Sequence, residues 1–269
     1  FIVLMSDDLV IKTGAKVMGS VADVYTNADG VKKSITAPGP GNYITMAKSV
    51  ALANSILGEE SVQKRSFILA HGSSTPQNRV TESQIYDRLA TTFNIRDWPV
   101  AAPKAFVGHT IGPASGDQVA MALGIFEHNI MPGITTIDSV ADDVEDKYLN
   151  IATEHWNCPD MDVAFINSKG FGGNNATATV ISPKVSMQMI RSRHGNEAMN
   201  EYQIKLTTVE ASQQSYKQQA DNGDFNLIYK FGDGMIPDSA LDIKKDTISI
   251  DGFTQKIALP TKNPFSDMV

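Results

Sequence analysis

The sequence predicts an α/β protein in which short apolar strands alternate with amphipathic helices. Two observations support this prediction. Apolar runs of strand length at 66–70 and 163–167 are bounded by turn-forming residues. Longer segments with apolar residues at helical spacing, such as 81–93 and 114–128, lie between them. Because strands that alternate with helices usually pair in parallel, we expect a parallel sheet with helices on its faces.

The amino-terminal residues predict two strands separated by a helical turn. Residues 1–5, Phe-Ile-Val-Leu-Met, form an apolar run with no charged segment before it, which favours a buried strand over a signal peptide. The next apolar run, 17–25, is expected to pair with this strand across a helical turn at 8–14. We expect the core partners of these two strands to lie on residues outside this chain.

The rest of the chain divides into a regular middle part and a less regular tail. In the tail, 187–220 predicts a Gln-rich helix, 225–229 a strand and 247–253 a hairpin. His194 lies in a basic patch that could bind phosphate or cap a helix, and the cap is favoured. In the middle part the expected elements are helix 45–57 ending at Gly58, strand 66–70, helix 81–93, strand 100–106, helix 114–128, and strands 163–167 and 177–181.

Composition excludes several classes of protein. The 269 residues are 42% hydrophobic, which is ordinary for a packed core, and no apolar run is long enough to span a membrane. A net charge of −7 argues against nucleic acid as the main partner. The single cysteine, Cys158, excludes an internal disulfide, and no CxxC or His–Cys cluster indicates zinc. We therefore expect a cytoplasmic protein with no metal and no cofactor.

His71 and His109 are the most informative residues, because each follows a short apolar run. In an α/β protein, polar residues at the carboxyl ends of strands reach the ligand crevice. A neutral imidazole can donate a hydrogen bond to an oxygen on which negative charge develops. Small hydroxyl residues follow His71, and Lys104 precedes His109 by five positions, which favours a functional site over two isolated structural histidines.

Three motifs in order carry a resemblance to a known family. The segment His-Gly-Ser-Ser-Thr-Pro at 71–76 is close to HGTxTP, and Lys-Ala-Phe-Val-Gly-His-Thr-Ile-Gly at 104–112 is close to KSxxGHxxG. The third, Asn-Ser-Lys-Gly-Phe-Gly-Gly-Asn-Asn at 167–175, is close to NSFGFGGTN. Over residues 1–181 the chain thus resembles the β-ketoacyl-[acyl carrier protein] synthases, the elongating Cys-His-His condensing enzymes of the thiolase superfamily.

The resemblance implies a thiolase-like fold and a division of the chain. Residues 44–181 would form the second βαβαβαββ half and carry both histidines. Residues 1–43 would supply closing strands of the first half, and 182–269 would be an α+β extension. Ordinary family members end soon after the last strand, so the extension would make this an unusually long member.

The resemblance also implies the roles of the site residues. His71 and His109 would donate hydrogen bonds to the thioester oxygen of a malonyl substrate, stabilising the enolate. Lys104 would orient its neighbours rather than act as a base. Ser73 and Thr75 would contact the malonyl carboxylate or the pantetheine arm.

In the glycine-rich turn, Phe171 would be a gate to the acyl pocket, and Gly170 and Gly172 would let it move. This loop would also supply a backbone N–H to the oxyanion hole. Considered without the other two motifs, the segment predicts an ordinary hairpin turn. It lacks the GxGxxG spacing of a phosphate-binding loop. Two departures stand out: Gln118 replaces the usual Glu, which puts a buried acidic contact or ion site in doubt, and Lys169 replaces the first Phe of the motif.

The family's nucleophilic cysteine lies in the first half of its fold, upstream of all three motifs. Cys158 is predicted to lie in a loop before a strand and to be structural, since nothing in the sequence around it would lower its pKa. We therefore expect this chain to be the carboxyl-terminal part of a condensing enzyme, with the nucleophile outside it, for example on a companion chain.

The expected function is decarboxylative condensation of malonyl-[acyl carrier protein] with an acyl thioester, in fatty acid or polyketide-like synthesis. The expected partners are acyl carrier protein, the two thioester substrates and a second copy of the protein in a homodimer. One alternative is a non-catalytic partner subunit that shapes a heterodimer, although such a subunit would not need His71, Lys104 and His109 together. A degradative thiolase-like enzyme is disfavoured, because the second active-site Cys of that group is missing.

Overall fold

A computed structural model describes residues 1–32, 39–73, 75–224 and 230–268. Its helices are α1 (Asp7–Thr13), α2 (Pro40–Leu57), α3 (Glu59–Lys64), α4 (Pro76–Thr92), α5 (Lys104–Val107), α6 (Ala114–His128) and α7 (Pro183–Asp221). Its strands are β1 (Ser20–Ala28), β2 (Ser66–Leu69), β3 (Trp98–Ala101), β4 (Ile130–Met131), β5 (Leu149–Asn150), β6 (Trp156–Asn157), β7 (Val163–Gly170), β8 (Asn174–Ile181), β9 (Leu241–Ile243), β10 (Thr247–Ile250) and β11 (Ile257–Ala258).

A mixed sheet of six strands, in the order β1-β8-β7-β2-β3-β5, positions the candidate site. Strand β2 pairs in parallel with β3 and with β7, and β3 pairs in parallel with β5. The parallel pairing predicted for the central strands is therefore confirmed. Strand β8 runs antiparallel to both β7 and β1, which makes the sheet mixed.

Apolar side chains cover both faces of this sheet. Strand β2 is buried along its whole length, with Ile68 in one core cluster and Phe67 and Leu69 in the other. Because successive strand residues point to opposite faces, β2 is anchored on both sides. Burial of one such side chain contributes about 1.5–3 kcal/mol to folding, so the end of β2 is a rigid support for the residue that follows it.

Several elements form where the sequence predicts them. Helix α6 matches the predicted bounds 114–128, and α2 ends at Leu57, directly before Gly58, whose φ of 83° is unfavourable for a residue with a Cβ. Helix α4 begins earlier than the predicted residue 81. It starts at Pro76, because Thr75 caps the helix and proline suits its first turn.

The predicted pairing of residues 1–5 with 17–25 is wrong. Residues 1–5 form neither helix nor strand, and Phe1 and Leu4 are exposed. The second segment does form a strand, β1, but it pairs with β8 through eight residue pairs, with a bulge between Val21 and Asp23. Strand β1 therefore lies in the same sheet as the strands of residues 44–181.

The predicted strand at 100–106 is also wrong in its second half. Strand β3 ends at Ala101, and Lys104 lies in the one-turn helix α5. Pro103 explains the change, because it adopts helical angles (φ −53°, ψ −33°) and has no N–H for a sheet ladder. His109 therefore follows a helical turn and Gly108, not a strand.

The chain divides into two compact units, Phe1–Gln213 and Gln214–Val269. In the second unit β9, β10 and β11 form an antiparallel sheet, so the predicted hairpin at 247–253 is formed by β10 and its neighbours. The predicted strand at 225–229 lies outside the described residues. Among the parts of the chain that the structure describes, no helix combines the length and hydrophobicity needed to cross a membrane.

Helix α7 is two helices joined at Gly195, which has non-helical angles (φ 81°, ψ 173°). The residues before this kink make an ion-paired contact rather than an open basic patch. Arg193 Nη1 and His194 Nε2 each lie 2.8 Å from Asp7 Oδ2, so α7 is tied to the first turn of α1. The hydrogen bonds from His194 and Arg193 lower the pKa of Asp7 to about 2.

Candidate active site

The fold brings His71 and His109 together. Their ring centroids lie 5.3 Å apart, with the ring planes at 82°. His71 follows the buried strand β2 and is 9% exposed, whereas His109 is exposed after the turn at Gly108. Two imidazoles at this spacing can serve one small substrate group, since N–H···O hydrogen bonds span about 2.9 Å.

His71 is held as a neutral ring with one defined tautomer. Its Nδ1 accepts a hydrogen bond from the backbone N–H of Lys169 at 3.3 Å, so the ring hydrogen lies on Nε2. Burial lowers the pKa of His71 to about 4; the positive charges of Lys104 and Lys169 act in the same direction, and Glu82 opposes them. Near neutral pH, His71 is therefore an uncharged donor through Nε2.

His109 has the same tautomer for a local reason. Its Nδ1 accepts a hydrogen bond from the backbone N–H of Ile111 at 3.1 Å. Ile111 has φ 64°, a left-handed conformation that costs a β-branched residue about 1–3 kcal/mol. The hydroxyl of Thr110 donates to Asp117 Oδ2 at 2.5 Å and so ties this strained turn to helix α6.

Lys104 contacts the backbone of His71, not its ring. Its Nζ donates to the carbonyl oxygen of His71. Partial burial lowers the pKa of Lys104, although the carboxylates of Glu82 and Asp117 oppose this. An ammonium placed in this way fixes the backbone that carries His71 and adds positive charge beside its ring.

Glu82, on α4, is the centre of the buried polar network under the site. Burial raises its pKa, but the hydrogen bond from Tyr86 and the surrounding donors outweigh burial and hold the pKa below its usual value. The carboxylate thus stays ionised and balances nearby lysine charge. It accepts hydrogen bonds from His71 N (2.9 Å), Gly72 N (2.8 Å), Asn78 Nδ2 (2.6 Å), Tyr86 OH (2.6 Å) and Asn167 Nδ2 (3.0 Å).

Asn167, on β7, extends this network towards α2. It exchanges hydrogen bonds with Asn42 at 2.6 Å and 3.2 Å, and its Oδ1 also accepts from Thr177. The roles of Asn42 and Tyr86 were not predicted. The spacing of Glu82 and Tyr86, four residues apart on one helix, is a signal for the second, but nothing near Asn42 in the sequence points to β7.

Gln118, on α6, joins the carboxyl ends of β2 and β7. Its side chain is fully buried, and its Oε1 accepts a hydrogen bond from the hydroxyl of Ser168 at 3.0 Å. An amide suits this position, because a carboxylate has no hydrogen to donate. Its Nε2 lies within hydrogen-bond distance of the carbonyl oxygens of Leu69 (2.8 Å), Ala70 (2.9 Å) and Asn167 (2.9 Å).

The glycine-rich segment forms the turn of the β7–β8 hairpin, next to the site. Phe171 is 89% exposed between Gly170 and Gly172, and the latter has φ 83°. Gly173 has φ 84°, and a Cβ there would lie 3.1 Å from Asp29, so close approach also requires glycine. The strand β8 follows this turn, which does not fit a phosphate-binding loop.

The small hydroxyl residues after His71 differ in their environments. Ser73 is half-buried, and Ser74 lies outside the described residues. Thr75 is exposed and its hydroxyl oxygen accepts from the backbone N–H of Asn78, so it caps α4. A capping hydroxyl retains its own hydrogen, which leaves Thr75 able to donate to another group.

Cys158 does not lie at this site. It is 1% exposed within the core beside α6, and burial raises its pKa to about 11. A buried neutral thiol is a poor nucleophile. Among the residues described, no three His, Cys, Asp or Glu side chains cluster closely enough to hold a metal ion.

Comparison with known proteins gives consistent matches. Residues 18–138 match the family described as the C-terminal domain of beta-ketoacyl synthase. The whole chain is 48% identical over 270 residues to the beta-ketoacyl-[acyl-carrier-protein] synthase FabY of Pseudomonas aeruginosa, of which it spans 43%. A 3-oxoacyl-[acyl-carrier-protein] synthase 2 from Synechocystis is 36% identical over 61% of this chain, which spans 38% of that protein.

Solved structures agree. The crystal structure of the ketosynthase FabY from P. aeruginosa superposes with a TM-score of 0.86, covering 98% of this chain and 42% of that one, at 48% identity. A beta-ketoacyl synthase from Burkholderia phymatum gives a TM-score of 0.52 at 25% identity, covering 65% of this chain and 40% of that one. The chain therefore has a thiolase-like fold, and it belongs to the β-ketoacyl synthase family.

Proposed function

We propose that this chain supplies the decarboxylation half of a β-ketoacyl-[acyl carrier protein] synthase site. The observation that carries the proposal is that both imidazoles have the same tautomer. His71 and His109 each accept a backbone hydrogen bond at Nδ1 and present Nε2–H, and their rings are 5.3 Å apart. Two preorganised donors of this kind suit a thioester oxygen that becomes an enolate oxygen.

The proposed reaction begins with a malonyl thioester. The bond between its α-carbon and its carboxylate breaks, CO₂ leaves, and the electron pair passes into the enolate, whose oxygen receives both Nε2–H donors. The enolate carbon then attacks the carbonyl of an acyl group held as a thioester on the enzyme. A new carbon–carbon bond forms and the thiolate leaves. No proton from either histidine is consumed, so both rings remain donors through Nε2–H.

The remaining site residues take supporting roles in this proposal. Lys104 holds the His71 backbone and adds positive charge near the developing enolate. Ser73 and the free hydroxyl hydrogen of Thr75 contact the malonyl carboxylate or the pantetheine arm. Phe171 gates the acyl pocket, and the flanking Gly170 and Gly172 permit its movement and expose a backbone N–H to the oxyanion.

The nucleophile and the partners are part of the same proposal. The chain spans 43% of its Pseudomonas relative, and its own Cys158 is buried with a raised pKa. We assign the nucleophilic cysteine to a segment outside the 269 residues. The substrates are delivered by acyl carrier protein, the working unit is a homodimer, and the reaction serves fatty acid synthesis in the cytoplasm.

The test is a condensation assay on the full-length protein that contains this chain, supplied with an acyl thioester and malonyl-[acyl carrier protein]. We expect one β-ketoacyl product for each CO₂ released. Replacing the exposed His128, in the last turn of α6, with Ala is a matched control and leaves both yields unchanged. A non-catalytic partner subunit would release no CO₂ until a second polypeptide was added, and that result would contradict the proposal.

A further inference from the structure

Two adjacent side chains of helix α6 contact the segments that carry the two histidines. Gln118 joins the ends of β2 and β7, and Asp117 accepts the hydroxyl hydrogen of Thr110, next to His109. We propose that Asp117 and Gln118 are a pair of positioning residues, each of which sets the hydrogen bond that fixes the ring of one histidine. The inference rests on the proposed role of the imidazoles as donors.

The Gln118 amide continues the connection between β2 and β7 beyond their ladder. Their last paired residues are Leu69 and Ile166. At and just past that point the buried Nε2 of Gln118, with two hydrogens to donate, lies within hydrogen-bond distance of three backbone carbonyls, two from the β2 end and one from β7. His71 is the next residue after the β2 carbonyls, and Lys169 lies two residues beyond the carbonyl on β7. The amide thereby sets the spacing at which the Lys169 N–H reaches His71 Nδ1.

Ser168 adds a second connection on the β7 side. Its hydroxyl lies 3.0 Å from Gln118 Oε1 and 2.7 Å from the hydroxyl of Ser115, also on α6. Ser168 directly precedes Lys169. Gln118 therefore contacts the segment that carries the Lys169 N–H at two points, the Asn167 carbonyl and the Ser168 hydroxyl. Removal of the amide therefore takes away the contacts of Gln118 with Asn167 and Ser168 and leaves the contact between Ser168 and Ser115.

Asp117 acts on the other histidine. The turn Thr110–Ile111 is strained, because Ile111 is β-branched and has φ 64°. The hydrogen bond from Thr110 to Asp117 holds this turn, and the turn aims the Ile111 N–H at His109 Nδ1. Without the carboxylate, Ile111 is free to relax to an ordinary conformation, and the donor to His109 is lost.

These contacts predict that each substitution alters one histidine and leaves the other unchanged, because Asp117 and Gln118 contact different segments. Gln118→Met removes the amide at nearly constant volume, and Asp117→Ala removes the half-buried carboxylate. The control is Gln63→Met: the Gln63 amide also donates to a backbone carbonyl, that of Phe93, at 3.2 Å, but contacts neither histidine segment.

The experiment is nitrogen NMR of the imidazole rings in the full-length protein, labelled on histidine and titrated with acid. In Gln118→Met we expect His71 to lose its single Nε2–H tautomer, with His109 unchanged. In Asp117→Ala we expect His109 to lose its single tautomer, with His71 unchanged. Gln63→Met should alter neither ring.

The inference is overturned if His71 keeps its tautomer in folded Gln118→Met, or if both rings change together in both variants. If Gln118→Met fails to fold, the milder substitution Asp117→Ala is the test. An unchanged His109 tautomer in Asp117→Ala would contradict the inference. The rings are observed without turnover, so a protein that fails to condense thioesters still gives the answer. Failure of this inference and failure of the proposed function are therefore distinguishable.

Discussion

The backbone N–H of Lys169 donates to Nδ1 of His71 across 3.3 Å, which connects two residues that are 98 positions apart in sequence. This contact decides which nitrogen of His71 carries hydrogen. The same two residues are electrostatically opposed, since the Lys169 ammonium disfavours a second proton on the ring. The site thus keeps His71 neutral by both a hydrogen bond and a charge.

The low pKa of His71 predicts a pH-dependent stability. Its pKa falls from 6.5 to about 4 on folding, so between these values the unfolded chain binds more protons, and stability decreases as pH falls through this window. The contribution is up to about 3 kcal/mol. We expect His71→Gln to flatten the dependence of the urea midpoint on pH between 4 and 6.5. An equal slope in the variant would show that other groups cause it.

Glu82 is expected to be the most costly carboxylate to replace. Glu82→Gln puts two N–H groups where five donors already converge, so we expect a loss of at least about 3 kcal/mol in the free energy of unfolding. Urea denaturation measures it. Glu127→Gln is the control, because Glu127 forms an exposed pair with Lys16, worth less than about 1 kcal/mol. Equal losses in the two variants would contradict the central position of Glu82.

Lys104→Met should lower kcat more than it raises KM. The variant loses the hydrogen bond to the His71 carbonyl and one positive charge, which we expect to cost about 10–100-fold in kcat. Steady-state condensation kinetics measure both constants. Lys64→Met removes an exposed lysine that pairs with Glu60 and serves as control. A change in KM alone would mean that Lys104 binds substrate rather than positions His71.

Cys158 is expected to be inert. Since burial raises its pKa to about 11, we expect no alkylation by iodoacetamide at pH 8 under native conditions and full alkylation in urea. Mass spectrometry of the peptide that contains it gives the result. Cys158→Ser should keep condensing activity but lower stability. Rapid native labelling that abolishes condensation would make Cys158 the nucleophile and overturn its structural assignment.

Local patterns predicted much of this fold, but contacts between distant residues were not predictable. The apolar periodicity of 114–128 is sufficient to define α6, because that signal lies within one element. The pairing of β1 with β8 is different, since its register joins Ser20 to Ile181, and no local pattern specifies such a partner. The helical turn at Lys104 was not predicted, because the apolar run around Pro103 favoured a strand, whereas Pro103 adopts helical angles.

The same distinction holds at the site. His71, His109 and Lys104 were predicted from motifs, and the structure brings them together. Gln118 was noted only as a departure, because its role depends on carbonyls of β2 and β7 that a sequence does not place in space. Asn42 was missed for the same reason, as its partner Asn167 is 125 residues away.

The most direct measurement is CO₂ release from malonyl-[acyl carrier protein] by the full-length protein and its His109→Ala variant. The variant loses one of the two Nε2–H donors to the enolate oxygen, so we predict that release falls by about 100-fold or more while the protein remains folded. The His128→Ala control should match the unsubstituted protein. Unchanged CO₂ release by His109→Ala would contradict the role assigned to the paired imidazoles.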